Sequence, residues 1–244
     1  MGETGEYVAP QASQASQASQ ASQAPEAPEA PEASQAPETS QAPETSQALH
    51  SPFPMTQIAL FGTSADPPSI AHREILRWLS QQFDLVAVWA SDNPLKTHQT
   101  PLAHRTAMLR LTVEDLKQSD GSSIDNIEFC PQLSDSRTIN SVREARKCWP
   151  EADLGLVIGA DLVAQIPRWY RAAELLAQVR VVVVPRPGCE IDPQALERLR
   201  GFCPVEIANL QMPDVSSTEY RTTKDPQTIT MRVADYIDRE RLYV

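Results

Sequence analysis

Three short stretches hold residue types suited to gripping a polyanion. The first, GTSADPPSIAH, runs from Gly62 to His72 and joins the apolar run Ile58–Phe61 to the helical pattern REILRWLSQQF. A strand is expected to end at Gly62 and Thr63, with a helix opening so that His72 falls in its first turn. Free backbone N–H groups and the helix dipole at such a junction attract anions, phosphate above all. A neighbouring anion raises the proton affinity of an imidazole, so His72 is expected to act as a cation and donor. The second stretch is IGADLVAQIPRW, Ile158 to Trp169. Asp161 can bind ribose hydroxyls there, and Gly159 lets a nucleotide lie against the backbone. The third, VSSTEYR, runs from Val215 to Arg221 and opens a helix. Ser216 or Ser217 caps it, Glu219 follows in the first turn, and Arg221 lies one turn on. Its hydroxyls, amides and guanidinium suit a second phosphate group.

Bringing these stretches together requires a sheet. Short Val-, Ile- and Leu-rich runs predict strands at Gln57–Phe61, Leu85–Ala90, Ile124–Cys130, Leu154–Ile158, Arg180–Val184 and Val205–Ala208. They are apolar on both faces, as buried parallel strands are. Helical spacing of Ile75, Trp78, Leu79 and Phe83 falls between the first two. Further helices are predicted over Leu102–Leu116, Thr138–Cys148, Ala172–Gln178 and about Thr230–Arg241. Such alternation is the pattern of an α/β fold: a doubly wound, Rossmann-like parallel sheet with helices on both faces. Ligands of these sheets bind beyond the carboxyl ends of the strands, near the switch point.

The first fifth of the 244-residue chain is a different polymer. Gln11 to Gln47 repeats QAS, then APE, then SQAPET. Between Val8 and Leu49 nothing apolar exceeds Ala except the prolines. Such a segment buries too little apolar area to offset chain entropy, and its prolines forbid a helix. Residues 1–54 are therefore read as a disordered tail and 55–244 as one domain of ample size for a core. The tail holds seven glutamates and no Lys or Arg, so without it the formal charge moves from −11 to −4. No basic stripe suggests bulk nucleic-acid binding. The four cysteines form no CxxC and no zinc spacing, and are read as free thiols. No basic-then-apolar leader and no run of about 20 apolar residues appears, so the expected location is the cytoplasm, with no membrane partner.

The motifs together resemble nicotinate-nucleotide adenylyltransferase, of the nucleotidyltransferase superfamily with an (H/T)xGH motif. The resemblance rests on GTSADPPSIAH, SDNPLKTHQTPLAHRTAMLRL, VIGADLVAQIPRWYRAAELL, VVVVPRPG and VSSTEYR, and spans nearly all of 55–244. The longer GTSADPP form points to a cyanobacterial-type branch. The resemblance implies adenylyl transfer from ATP to nicotinate mononucleotide, giving deamido-NAD and pyrophosphate in NAD biosynthesis. Its alternatives are transfer to nicotinamide mononucleotide and a non-catalytic nucleotide-binding protein of the same fold. Residue by residue, it implies phosphate contacts at Gly62, Thr63 and Ser69, and charge stabilisation by His72. It puts Gly159 and Asp161 at the adenosine half, and Ser217, Thr218 and Arg221 on the ATP phosphates. Lys96 and His98 would lie beside the mononucleotide, Thr138 over the nicotinate ring, and Trp169 stacked on it. Arg105 would border the site. Mg2+ would arrive on the ATP phosphates, with no protein metal ligands. Departures are Ser69 for the first His or Thr, Ala71 for the glycine, and Arg137 for a tyrosine before Thr138. The methyl of Ala71 is expected to weaken ATP binding if the nucleotide packs there. Trp78, Trp89 and Trp149 are read as packing residues, and His104 as a helix-surface residue. The oligomeric state is left open.

Overall fold

The computed structural model describes residues 55–92, 96, 99–118 and 124–244. The repeat tail, 1–54, and His98 lie outside the described residues. Six strands form one sheet: β1 (Gln57–Thr63), β2 (Leu85–Ala90), β3 (Ile127–Phe129), β4 (Asp153–Gly159), β5 (Arg180–Val184) and β6 (Val205–Ile207). Every pairing is parallel and the order is β3-β2-β1-β4-β5-β6. The chain therefore reverses its direction of travel across the sheet between β1 and β4. That switch point leaves a crevice at the carboxyl ends of the two strands, at Thr63 and Gly159.

Seven α-helices accompany the sheet: α1 (Ile70–Gln82), α2 (Leu102–Gln118), α3 (Thr138–Cys148), α4 (Ala172–Leu176), α5 (Pro193–Arg200), α6 (Ser217–Thr223) and α7 (Met231–Glu240). Alternate residues of each strand face opposite layers. Ile58, Leu60, Leu154, Leu156, Val181 and Val183 pack with α3, α4 and α5. Ala59, Phe61, Val86, Val88, Val157 and Val182 pack with α1 and α2. This two-sided burial is why the strands read as continuous apolar runs. A third cluster joins Met108 of α2, Tyr220 of α6, and Val233 and Ile237 of α7. It carries α6 to the carboxyl-end side of the sheet.

The differences from sequence expectation lie at element ends and in one additional helix. The third strand is three residues, not seven, because only Ile127–Phe129 pairs with β2. The helix α5 was not anticipated, although Asp192 caps it by accepting from the Gln194 N–H at 2.9 Å and Pro193 sits at its first position. Asp before Pro is a helix-start signal. Trp89 is buried and Trp78 and Trp149 are partly buried, all against the core. His104 is not a bare surface residue: its Nδ1 lies 2.9 Å from the Tyr236 hydroxyl, a contact across α2 and α7 that no local pattern reveals.

Candidate active site

The site begins where β1 turns into α1. Ser69 is the N-cap residue of α1, with an extended backbone and a nearly fully buried side chain. His72, at the third helical position, folds its ring back over that cap. The Ser69 N–H donates to His72 Nδ1 at 3.0 Å, and Ser69 Oγ lies 3.0 Å from the same nitrogen. A backbone N–H can only donate, so Nδ1 is an acceptor and the proton of the neutral ring sits on Nε2. That nitrogen faces Thr63 Oγ1 at 3.0 Å. An imidazole here does what a glutamate does in a capping box.

The protonation of His72 departs from the sequence expectation. Burial, then the positive charges of Arg186 and Lys96, hold its pKa down to about 4. The ring is neutral at neutral pH, not cationic. An anion at the helix start opposes this shift, but the protein's own groups set the opposite bias.

Two cationic side chains, Lys96 and Arg186, act on His72, and a third, Arg221, acts on Lys96. Lys96 donates from Nζ to Ser64 Oγ at 2.8 Å. The residue as a whole is exposed, yet its crowded ammonium has a lowered pKa. Desolvation is the first cause, opposed by Asp161 and Asp66 and reinforced by Arg221 and Arg105. Arg186 lies in the segment after β5 and pairs with Asp161 Oδ2 at 3.5 Å. Arg221, in α6, donates to the Asp66 carbonyl at 2.5 Å and to Thr218 Oγ1 at 3.2 Å. Ser217 Oγ donates to the Pro67 carbonyl at 2.8 Å, so α6 is tied twice to the β1–α1 turn. The helix itself starts at a capping box of Ser216 and Glu219.

Two glycines sit in close quarters, Gly62 against a buried ring and Gly159 against a carboxylate that can swing away. A methyl on Gly62 would meet the Trp89 ring at 2.7 Å, and one on Gly159 would meet Asp161 Oδ1 at 2.6 Å. Gly159 thus lets the Asp161 carboxylate fold back against the end of β4. Ala71 is buried in the first turn of α1, and its methyl packs within the protein.

Arg105 holds the neighbouring loops. Its side chain is 2% exposed. Nε donates to Thr100 O at 2.8 Å, and one terminal nitrogen to Ser64 O at 2.9 Å and Ser91 O at 2.7 Å. One guanidinium therefore sets the loops after both β1 and β2. Backbone carbonyls take these donors, and the other terminal nitrogen faces Asp92 Oδ1 at 4.0 Å, so the buried charge is compensated.

Thr138 and Trp169 belong to a second group. Thr138 opens α3, preceded by Arg137, whose guanidinium lies 5.1 Å over the ring of the exposed Tyr170. Trp169 is partly buried against the first core cluster. The sequence reading missed Asp66, which is buried, and Arg186. The RPG that follows β5 was a legible signal for Arg186. Nothing local marks Asp66, whose partners come from Thr100 and Tyr243.

Carboxylates that could hold a metal are already engaged: Asp161 by Arg186, and Asp66 by Thr100 and Tyr243. Among the described residues no three His, Cys, Asp or Glu side chains cluster as a metal cage. The surplus of cations suits phosphate oxygens.

Residues 60–223 match the cytidylyltransferase-like family. A Synechocystis protein named as a probable nicotinate-nucleotide adenylyltransferase is 42% identical over 201 residues, covering 77% of this chain and 98% of its own length. The nicotinate-nucleotide adenylyltransferase of Bacillus subtilis is 28% identical, covering 78% and 99%. Among solved structures, the Plasmodium falciparum nicotinic acid mononucleotide adenylyltransferase complexed with NaAD superposes with a TM-score of 0.66 at 20% identity, over 77% of this chain and 97% of that one. At that identity the likeness is one of fold.

Proposed function

The chain belongs to the cytidylyltransferase-like family and, within it, to the nicotinate-nucleotide adenylyltransferases, and from that premise we propose how its site performs adenylyl transfer. ATP and nicotinate mononucleotide give deamido-NAD and pyrophosphate, a step of NAD biosynthesis. A phosphate oxygen of the mononucleotide attacks the α-phosphorus of ATP. The bond from that phosphorus to the oxygen bridging to the β-phosphorus breaks, and the electron pair leaves with pyrophosphate. The substrate brings its own nucleophile, so the protein positions two polyanions and stabilises the charge on the leaving group.

The observation that carries this reading is the convergence of His72, Lys96, Arg186 and Arg221 at the β1/β4 switch point. Gly62, Thr63 and Ser69 shape the turn that receives the phosphates, with Ser217, Thr218 and Arg221 closing it from α6. Gly159 and Asp161 hold the adenosine half. Lys96, Thr138 and Trp169 hold the mononucleotide, with the indole against the pyridine ring. His72 enters neutral. The negative charge of the triphosphate works against the burial and the cationic fields that lower its pKa, so its Nε2–H strengthens as a donor as pyrophosphate departs. Bound with ATP, Mg2+ would neutralise part of the phosphate charge, with no ligand needed from the protein. No helix among the described residues is long and apolar enough to cross a membrane; the free thiols of Cys130, Cys148, Cys189 and Cys203 support our placing the reaction in the reducing cytoplasm.

The test is a comparison of acceptors. Pyrophosphate release from ATP is measured with nicotinate mononucleotide, with nicotinamide mononucleotide and with neither. Turnover is expected with the acid well above the amide and absent without acceptor. Faster turnover with the amide, or none with either, contradicts the assignment.

A further inference from the structure

The last residues of the chain reach the phosphate-binding turn. After α7, Arg241 takes a left-handed backbone conformation, φ 53°, and the Leu242 N–H donates to Ile237 O at 3.0 Å. This turn carries Tyr243 back to Asp66, where its hydroxyl donates to Oδ1 at 2.6 Å. The ring of Tyr243 stands edge-on to Tyr220, centroids 6.0 Å apart, and Lys224 donates to its carbonyl. Tyr243 is itself left-handed, φ 60°, a conformation that a bulky residue keeps only when its surroundings hold it. Asp66 is 5% exposed and receives three segments. Oδ1 takes Tyr243, Oδ2 takes the Thr100 N–H at 3.3 Å, and its carbonyl takes Arg221. Thr100 is in turn fixed by Arg105.

We propose that Tyr243 is a positioning residue for ATP: its hydroxyl holds the Asp66 carboxylate away from Lys96 and Arg221, leaving those cations to the phosphates. The proposal rests on the adenylyl-transfer reading and adds a residue from the chain's end to it. Two features separate this role from simple packing. The ring and the hydroxyl have different partners, since the ring belongs to the third core cluster and the hydroxyl contacts Asp66. Asp66 is also tied to both cations: its carboxylate acts on Lys96 through space, and its backbone carbonyl accepts from Arg221. Without the hydroxyl, Oδ1 is a buried acceptor that has lost its donor, and Lys96, on which its charge already acts, and Arg221, already on its backbone carbonyl, become cations it can recruit. Asp66 then competes with ATP for them. Burial and the Asp66 carboxylate push the Tyr243 pKa far above its ordinary value, so it stays a donor across the physiological range.

The test uses the full chain. Tyr243→Phe keeps the ring and removes the hydroxyl. ATP affinity is read by calorimetry, and KM for each substrate by pyrophosphate release. Kd and KM for ATP are expected to rise about tenfold, with KM for nicotinate mononucleotide within twofold of wild type. Adding Asp66→Asn to Tyr243→Phe removes the competing charge, and is expected to bring ATP affinity back to within threefold. Unchanged ATP affinity in Tyr243→Phe overturns the proposal. So does a loss of affinity that Asp66→Asn deepens, which would make the contact one of fold alone. Because ATP binding is measured apart from turnover, a wild-type chain that binds ATP but turns over neither mononucleotide refutes the adenylyl-transfer reading and still judges Tyr243.

Discussion

His72 accepts the N–H of Ser69 on Nδ1 and turns Nε2 toward Thr63, so one ring couples the helix start to the end of β1. This contact decides which nitrogen carries the proton before any substrate is considered. It also makes His72 part of the helix cap as well as part of the site. A glycine or an alanine at position 72 would lose both.

The depressed pKa of His72 predicts an acid limb in stability. The unfolded chain takes up this proton near the ordinary value of 6.5, whereas the folded chain does so only near 4. Between those values the unfolded state binds more protons, so stability rises with pH across the window and falls on acidification. The slope from one such group is at most about 1.4 kcal/mol per pH unit. Urea unfolding at pH 7 and pH 5 should show wild type losing roughly 1–2 kcal/mol more than His72→Ala. Equal losses would show that the ring is not held neutral.

Trp169→Ala should raise KM for nicotinate mononucleotide and leave KM for ATP nearly unchanged. Aromatic stacking on a base contributes roughly 1–3 kcal/mol, about 5- to 150-fold in affinity. The indole also packs on the core, so a modest fall in melting temperature is expected alongside. Equal effects on both substrates would mean that the indole serves packing only.

The repeat tail should be dispensable. Its composition cannot form a core, and its seven glutamates act on anionic substrates only through screened repulsion over about 8–10 Å. A chain beginning at Met55 should match the full chain in melting temperature and kcat, with a slightly lower KM at low salt. A large loss of activity or solubility would show that the tail docks on the domain or serves a partner.

The sheet and the helix starts that frame the candidate site were legible from local pattern. Strand cores such as Leu85–Ala90 and Arg180–Val184 are buried on both faces, so their apolar runs matched the observed bounds. Ser216 and Glu219 announced α6, because a capping box is a property of adjacent residues. What escaped depends on partners far along the chain. Asp66 is 34 residues from Thr100 and 177 from Tyr243. Nor could the sequence show that burial would outweigh the helix dipole at His72, since desolvation depends on what packs around the ring. The charge expected there was therefore the wrong one for the protein alone.

The most direct measurement is steady-state turnover of His72→Ala with ATP and nicotinate mononucleotide, alongside its melting curve. The ring contributes its cap contacts to Ser69 and one contact to Thr63, so the variant should stay folded with a midpoint a few degrees lower. If His72 stabilises the departing pyrophosphate, kcat should fall on the order of 10²–10³. A folded His72→Ala that turns over like wild type would contradict the account.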